Sequence, residues 1–270
     1  MKIRTLVTTI TTSLMLATSI GVSAHNNIGN DCNIELNGNL KYENEVLTVL
    51  LSNGSEAEFR SSGLVYIDGN ALPLSHEEAT QAQNYYQSIH DSIPTTVEIA
   101  KEAVSIANTT IVEVFGELLG HDDELTQEFG HFFDEVNYEI DNKFYTDDGA
   151  FFMDTTSFEQ GQWVDQGWEQ EFEEKVESLM SKSIGRLLIA VGTEMLWGDG
   201  DSDAFEARME NFGEDLEHRL SSSTELLEVK AEELCEILER ADIAENHLSN
   251  TVTELSDLDL LSVDTKGQRM

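Results

Sequence analysis

Apolar residues in the last quarter of the chain follow a helical repeat. Between residues 205 and 261 they recur at steps of four and three, a spacing that keeps one stripe on one side of a helix. Glu245 breaks the stripe, and three serines at 221–223 interrupt it. We therefore expect one long helix with a weak point, or two helices in line, whose apolar side the rest of the chain must cover. The stripe consists of Phe205, Met209, Phe212, Leu216, Leu227, Ala231, Leu234, Leu238, Ala241, Leu248, Val252 and Leu255.

Residues 32–74 alternate between apolar and polar side chains with a period of two, which is typical of strands with one buried face. Turn residues separate the alternating runs, and Pro73 indicates an edge strand. The segment is predicted to form a small antiparallel meander of about four strands. The turns are expected at Asn53 and Gly54, at Ser62 and Gly63, and at Asp68, Gly69 and Asn70.

The period changes to a helical one at Ser75. Ser75 and Glu78 have the spacing of a capping box, in which each residue satisfies a backbone N–H of the other. Pro94 should stop or kink the helix that follows, and Thr95 with Glu98 repeats the capping box just after it.

Further helices are predicted downstream. Gly120 is a natural helix stop, and Asp122 or Asp123 can cap the next helix. Residues 168–179 carry another stripe, and residues 187–196 are almost continuously apolar. A segment that is apolar all round is normally buried in the centre of a bundle, so burial is expected here.

These patterns together predict an α+β fold in one domain. Residues 25–74 should form the β-meander, and residues 75–270 a bundle of long antiparallel helices with coiled-coil character. No internal repeat or low-complexity linker divides the chain of 270 residues.

Residues 1–24 have the three-part pattern of a signal peptide. Lys2 and Arg4 precede a mildly apolar run that is too short to cross a membrane, and Val22, Ser23 and Ala24 form a small-residue cleavage site. We expect cleavage near Ala24 and a mature chain outside the cytoplasm. The alternatives are an N-terminal membrane anchor and a buried first helix.

The chain has two cysteines, Cys32 and Cys235. In an exported protein an even pair indicates one disulfide, because free thiols are a liability in an oxidising compartment. The bond would tie the start of the mature chain to the last helix. The alternative is two unrelated buried thiols.

A hairpin that leads into a helix is predicted from residues 64–69 and 72–75, followed by Gln81, Tyr86, Ile93 and Pro94. These stretches resemble the YggN-like family of uncharacterised exported bacterial proteins. The similarity is clearest over residues 61–125, and the early and late cysteines match the family's usual pair. The resemblance implies a periplasmic location in a Gram-negative cell and implies no reaction. The strong acidity and the aromatic centre of this chain depart from the family's usual composition.

The formal net charge is −38, from 15 Lys and Arg against 53 Asp and Glu. Nucleic acid is excluded as a partner, since phosphate binding needs a basic footprint, and an anionic membrane surface is disfavoured for the same reason. The charge is explained by a solvated acidic surface suited to a saline medium or, alternatively, by a store for divalent cations.

One acidic run matches part of a calcium-loop pattern. Asp199, Asp201, Asp203 and Glu210 occupy its positions 1, 3, 5 and 12, where hard cations find carboxylate oxygens. Ala204 stands where the loop needs glycine. The competing interpretation is an acidic, solvated helix start in which Asp203 is the cap.

No other pattern identifies a cofactor or a reaction. Glu128 and His131 form half of a di-metal motif without a convincing second half. The sequence contains no HExxH, no CxxC, no glycine-rich phosphate loop and no nucleophile elbow. We therefore expect no cofactor, apart from the calcium alternative. We also expect that the protein is not an enzyme. The alternative is a hydrolase whose active site matches no known sequence motif.

Aromatic residues are dense between Phe129 and Phe172. Phe132 and Phe133 cannot both face one core, so some rings are expected to point elsewhere. A purely structural explanation of these aromatic residues is packing between helices. The functional hypothesis is an apolar groove, rimmed by acids, that binds an apolar or basic partner, which would be a protein, a peptide or a lipid. Its candidate residues are Phe133, Tyr145, Phe152, Trp163 and Trp168.

Overall fold

The computed structural model describes residues 26–28, 32–146, 149–155, 166–197 and 202–265. Within these ranges the chain forms nine strands and four helices. The helices are α1 His76–Leu119, α2 Glu124–Phe144, α3 Gln166–Trp197 and α4 Ser202–Thr251, and a short 3₁₀ helix follows at Thr253–Leu255. The strands are β1 Asn26–Ile28, β2 Cys32–Leu36, β3 Leu40–Glu43, β4 Val46–Leu50, β5 Glu56–Arg60, β6 Val65–Ile67, β7 Asn70–Ala71, β8 Met153–Asp154 and β9 Leu261–Thr265.

The strands form two antiparallel sheets. The larger sheet has the order β7-β6-β5-β4-β3-β8, so residues 40–71 form a meander as predicted, with β8 added at one edge. The prediction was wrong for β2, which was expected in the same meander but lies in the other sheet, between β1 and β9. The smaller sheet has the order β1-β2-β9. The α+β class is confirmed. The strands are more numerous than predicted, because β8 and β9 come from the part of the chain that was expected to be helical.

The helices are antiparallel, as ion pairs between them show. Lys175 and Lys182 of α3 contact Glu135 and Glu128 of α2, and Arg186 contacts Asp123, the N-cap of α2. Residue numbers that rise along α3 therefore meet residue numbers that fall along α2. Lys101 of α1 likewise contacts Asp141 of α2, and Arg219 and Lys230 of α4 contact Glu113 and Glu98 of α1.

The main core lies between the larger sheet and the helix pair α1 and α4. Alternate residues of β4 and β5 are buried on the side of the sheet that faces α1, which is the period-two pattern of the sequence. On α1 the fully buried Tyr85 meets Phe59 edge to face at 5.0 Å. The remaining buried residues of this core include Leu47, Val49, Ala57, Val65, Ile89, Ile93, Ala241, Ala244 and Leu248.

Helix α1 begins as predicted and does not stop at Pro94. The Ser75 hydroxyl accepts a hydrogen bond from the Glu78 N–H, and Glu78 Oε2 accepts one from the Ser75 N–H at 2.7 Å. Thr95 starts no new helix, since its hydroxyl donates to the Asp91 carbonyl one turn back. Ile93 and Val97 on either side of Pro94 are both buried, and this burial holds the two halves of α1 together.

The last helix ends earlier than the stripe suggested. Helix α4 is continuous through the three serines but stops at Thr251, so Val252 and Leu255 are buried from the 3₁₀ helix and its N-cap rather than from α4. The chain then reverses and runs back as β9 beside β2, with Leu261 opposite Leu36. The predicted extension of the helix to residue 261 was wrong, because pairing with β2 satisfies the backbone of β9.

Candidate functional site

The predicted disulfide between Cys32 and Cys235 is present. It joins β2 to α4 across 203 positions of sequence, with 6.3 Å between the two Cα atoms. Cys32 also lies opposite Thr265 in the pairing of β2 with β9. The bond therefore links the first described part of the chain, the last helix and the last strand at one place.

The calcium hypothesis falls mostly outside the described residues. Asp199 and Asp201 lie outside them, Asp203 lies in α4 with its side chain outside them, and Glu210 is exposed. Of the half-motif, Glu128 binds Lys182 at 2.6 Å and His131 is exposed. No group of three His, Cys, Asp or Glu residues within the described ranges is arranged to hold a metal.

The five aromatic candidates do not share one surface in the described part of the chain. Phe133 is buried in a second core, between α1, α2 and α3, with Phe129 and Leu179. Tyr145 and Phe152 are half-buried beyond the end of α2; Tyr145 is twelve positions from Phe133, which is about 18 Å along the helix axis, and the Phe152 N–H donates to the carbonyl of Phe144 at the same end. Trp163 lies outside the described residues, as does the side chain of Trp168.

Helix α3 instead exposes an apolar row to solvent. Met180, Ile184 and Leu188 follow one another at intervals of four and are exposed by 55, 59 and 71 %. The opposite side of α3 packs on α2 and α1 through Leu179 and through the ring of Phe172, whose centroid is 5.3 Å from that of Phe132. The expectation that residues 187–196 are buried was wrong at Leu188 and at Ile189, which is 65 % exposed, because the bundle leaves this part of α3 uncovered.

Two carboxylates extend the same row toward the start of α3. Glu173 and Glu177 are exposed, and the spacing from 173 to 177, 180, 184 and 188 keeps all five side chains within an arc of about 80°. We call these five residues the outer row. The outer row was not among the sequence predictions, although its spacing of four, three, four and four is visible in the sequence.

Two depressions flank these elements. One, of about 470 Å³, lies between the start of α2 and the middle of α3 and is lined by Glu128, Lys182 and Ile189 among others. The other, of about 540 Å³, lies on the outer face of the larger sheet. Its cations are already neutralised, since Lys41 binds Glu43 at 2.7 Å and Arg60 binds Glu58 at 2.8 Å.

Tyr42, Tyr86 and His90 form a hydrogen-bonded chain between β3 and α1. The Tyr42 hydroxyl lies 2.9 Å from the Tyr86 hydroxyl and 2.9 Å from His90 Nδ1, and Tyr86 donates to the Glu45 carbonyl at 3.1 Å. Because a hydroxyl has one proton, Tyr42 must donate to Tyr86, and His90 must then donate from Nδ1–H to Tyr42. Burial, followed by the contact with Tyr86, raises the pKa of Tyr42 and keeps it a donor.

Glu245, which breaks the apolar stripe of α4, is a buried structural acid. Its Oε1 accepts hydrogen bonds from the backbone N–H groups of Leu260 and Leu261. Burial raises the pKa of Glu245 to about 7 against the pull of these bonds. The Tyr85 hydroxyl is close enough for the two groups to shift each other's pKa, yet it lies outside hydrogen-bond geometry with Oε2. The carboxyl group thus joins α4 to the start of β9.

Comparison with known families identifies the relatives of this chain. Residues 32–261 match the family described as protein of unknown function (DUF2884). The chain belongs to this family. The match spans the region that carried the resemblance above, and it assigns neither a reaction nor a cellular location. Searches of curated proteins and of solved structures found no match.

The helices were also compared with the requirements of a bilayer. Among the described residues, none of them has the length and hydropathy that crossing a membrane requires.

Proposed function

We propose that this protein is an exported, non-enzymatic binding protein that holds an apolar segment of another protein or peptide on the outer side of α3. The observation that carries the proposal is the exposure of Met180, Ile184 and Leu188 in one row. Single exposed apolar residues are ordinary, but three in register on one helix form a strip that water covers at a free-energy cost. Recognition of an amphipathic segment by such a strip is a common mode of peptide binding.

The way α3 is fixed supports a docking role. Its three cations are paired with α2, and its inner side lies on the second core, so the outer row is held on a rigid support. A preformed surface loses little conformational entropy when a partner binds. The strip is therefore suited to binding, and no side chain needs to rearrange to expose it.

Two features support export. Cys32 and Cys235 are bonded, and disulfides persist chiefly outside the reducing cytoplasm. Residues 1–24 have the composition of a cleavable leader, as argued above. We place the protein in the periplasm on these two grounds. Cell fractionation followed by N-terminal sequencing tests this, and the expected first residue is His25; a cytoplasmic chain that begins at Met1 would contradict it.

The binding proposal is tested with a synthetic amphipathic helical peptide that carries leucine at every third or fourth position and a fluorescent tag. Titration of the purified chain should give saturable binding by fluorescence anisotropy. The variant I184S/L188S should weaken it by about tenfold or more, since two apolar contacts are lost.

The matched control is I243S. Ile243 of α4 is 58 % exposed and Ile184 is 59 % exposed, so I243S is matched to the single variant I184S, which is measured beside I184S/L188S and should weaken binding on its own. Binding that survives I243S and fails in I184S/L188S supports the outer side of α3. Equal loss in both variants, or no binding of helical peptides of any charge, would overturn the proposal.

A further inference from the structure

The outer row differs in chemistry along its length. It begins with the two carboxylates of Glu173 and Glu177 and continues with the apolar side chains of Met180, Ile184 and Leu188. From the first residue to the last it extends over fifteen helical steps, which is about 22 Å. A complementary helix of similar length would need apolar side chains at one end and cations at the other.

The cations of α3 do not face this row. Helix α3 contains three of them, Lys175, Lys182 and Arg186, and each forms an ion pair with an acid of α2 on the inner side. They lie about 160–180° around the helix from the centre of the outer row. The outer row is therefore acidic and apolar only, and among the described residues no ion pair neutralises Glu173 or Glu177, which leaves both carboxylates open to the cations of a partner.

The other candidate occupants lack that charge. A second copy of the chain carries the same net charge of −38 and would present the same carboxylates. In an antiparallel pair of α3 helices centred on Ile184, Glu177 would meet the partner's apolar end rather than a cation. An anionic lipid surface would be repelled for the same reason.

From this asymmetry we infer that the partner is a cationic amphipathic helix, with its lysines or arginines against Glu173 and Glu177 and its apolar side against Met180, Ile184 and Leu188. This inference rests on the proposed function and adds the charge and the polarity of the bound segment. Charge would set the orientation and speed the encounter, and the apolar contacts would supply most of the affinity.

The test uses three synthetic helices that share one apolar face and differ at one end, which carries lysine, glutamine or glutamate. Each is titrated against the full chain at about 0.05 M and about 0.5 M salt, because salt screens exposed charges over this range. The lysine peptide should bind most tightly at low salt and lose its advantage at high salt. The glutamate peptide should bind most weakly.

The deciding variant is E173Q/E177Q, and its matched control is E232Q/E236Q. Both pairs are exposed glutamates four residues apart, and both variants lose two negative charges, so they have the same net charge. E173Q/E177Q should weaken the lysine peptide by about three- to tenfold at low salt and leave the glutamine peptide unchanged. E232Q/E236Q should change neither.

The outcomes separate the two proposals. If the lysine and glutamine peptides bind equally at low salt, or if both variants weaken the lysine peptide to the same extent, the inference about charge fails and the binding function stands. If none of the three peptides binds, the binding function fails and the inference fails with it.

Discussion

Glu245 binds the backbone of Leu260, with Oε1 only 2.6 Å from the amide nitrogen. The acid is 3 % exposed, and it fastens the end of α4 to the strand that returns beside β2. The titratable groups that act on it are Tyr85 of α1 and Asp242 one turn earlier on α4; Tyr85 lowers its pKa and Asp242 raises it. Burial is the largest effect and leaves the pKa at about 7, against an ordinary value of 4.5.

This raised pKa predicts that Glu245 destabilises the fold as the pH rises. Between pH 4.5 and about 7 the folded chain keeps a proton that the unfolded chain releases, so the contribution is fully favourable below 4.5 and is lost above about 7. The loss amounts to about 3 kcal/mol. The variant E245Q resembles the neutral acid and should match the wild type near pH 4.5 in urea unfolding, yet be more stable at pH 8.

The other carboxylates titrate in both the wild type and E245Q, so their effect on the pH dependence of the unfolding free energy cancels when the two proteins are compared. A difference in unfolding free energy that is the same at both pH values would show that Glu245 is not protonated in the folded state.

The disulfide supplies a second prediction. Replacing both cysteines with serine in C32S/C235S should lower the free energy of unfolding by about 2–5 kcal/mol, because the bond restricts the unfolded chain over a loop of 203 positions. Chemical denaturation of the variant, and of the wild type with and without reductant, measures the effect. The variant should match the reduced wild type, and an undiminished stability in both would contradict the prediction.

Gly63 should tolerate no side chain. It turns the chain between β5 and β6 at φ +79°, and a Cβ there would overlap the Ala79 carbonyl of α1. G63A should therefore cost about 3 kcal/mol, since overpacking adds to the strain of a left-handed residue. Gly54 is the matched control, because it has φ +89° with open space around it, and G54A should cost only about 1–2 kcal/mol. If G63A and G54A lowered the free energy of unfolding equally, α1 would have moved away from the new methyl group, and the prediction would be wrong.

The chain of donors through Tyr42 fixes the tautomer of His90. A long-range ¹H–¹⁵N spectrum at alkaline pH should show the proton on Nδ1, and a proton on Nε2 would contradict the assignment. The variant Y42F should lower stability by about 1–3 kcal/mol, because it removes the acceptor of the His90 Nδ1–H and the hydrogen bond that Tyr86 accepts, while Tyr86 still donates to the Glu45 carbonyl. Y138F should have no measurable effect, since Tyr138 is exposed.

The sequence predicted the elements whose local signals agree with their surroundings. The period-two run became β3 to β6, the capping box at Ser75 starts α1, Gly120 follows its end, and Asp123 caps α2. The disulfide was also predictable, because two cysteines allow only one pairing. In each of these cases the interacting residues lie close in sequence, or, for the two cysteines, only one pairing is possible.

The errors arose where distant parts of the chain decide the outcome. The residues near Pro94 do not show that the helix continues past it. The burial of Ile93 and Val97 against other elements stabilises the continuous helix. The segment 261–265 alternates like a strand, but its partner β2 lies at the other end of the chain. Leu188 and Ile189 were expected to be buried with the rest of residues 187–196, but both are exposed, because hydropathy indicates a need for cover and does not indicate whether the fold supplies it.

The sulfur link between Cys32 and Cys235 has one more consequence. A protease that nicks a single peptide bond anywhere between these half-cystines would leave both fragments in one covalent molecule. Such a nick would appear as two bands on a gel only after reduction. Damage to exposed segments of this stretch would therefore not release a piece of the protein while its surroundings stay oxidising.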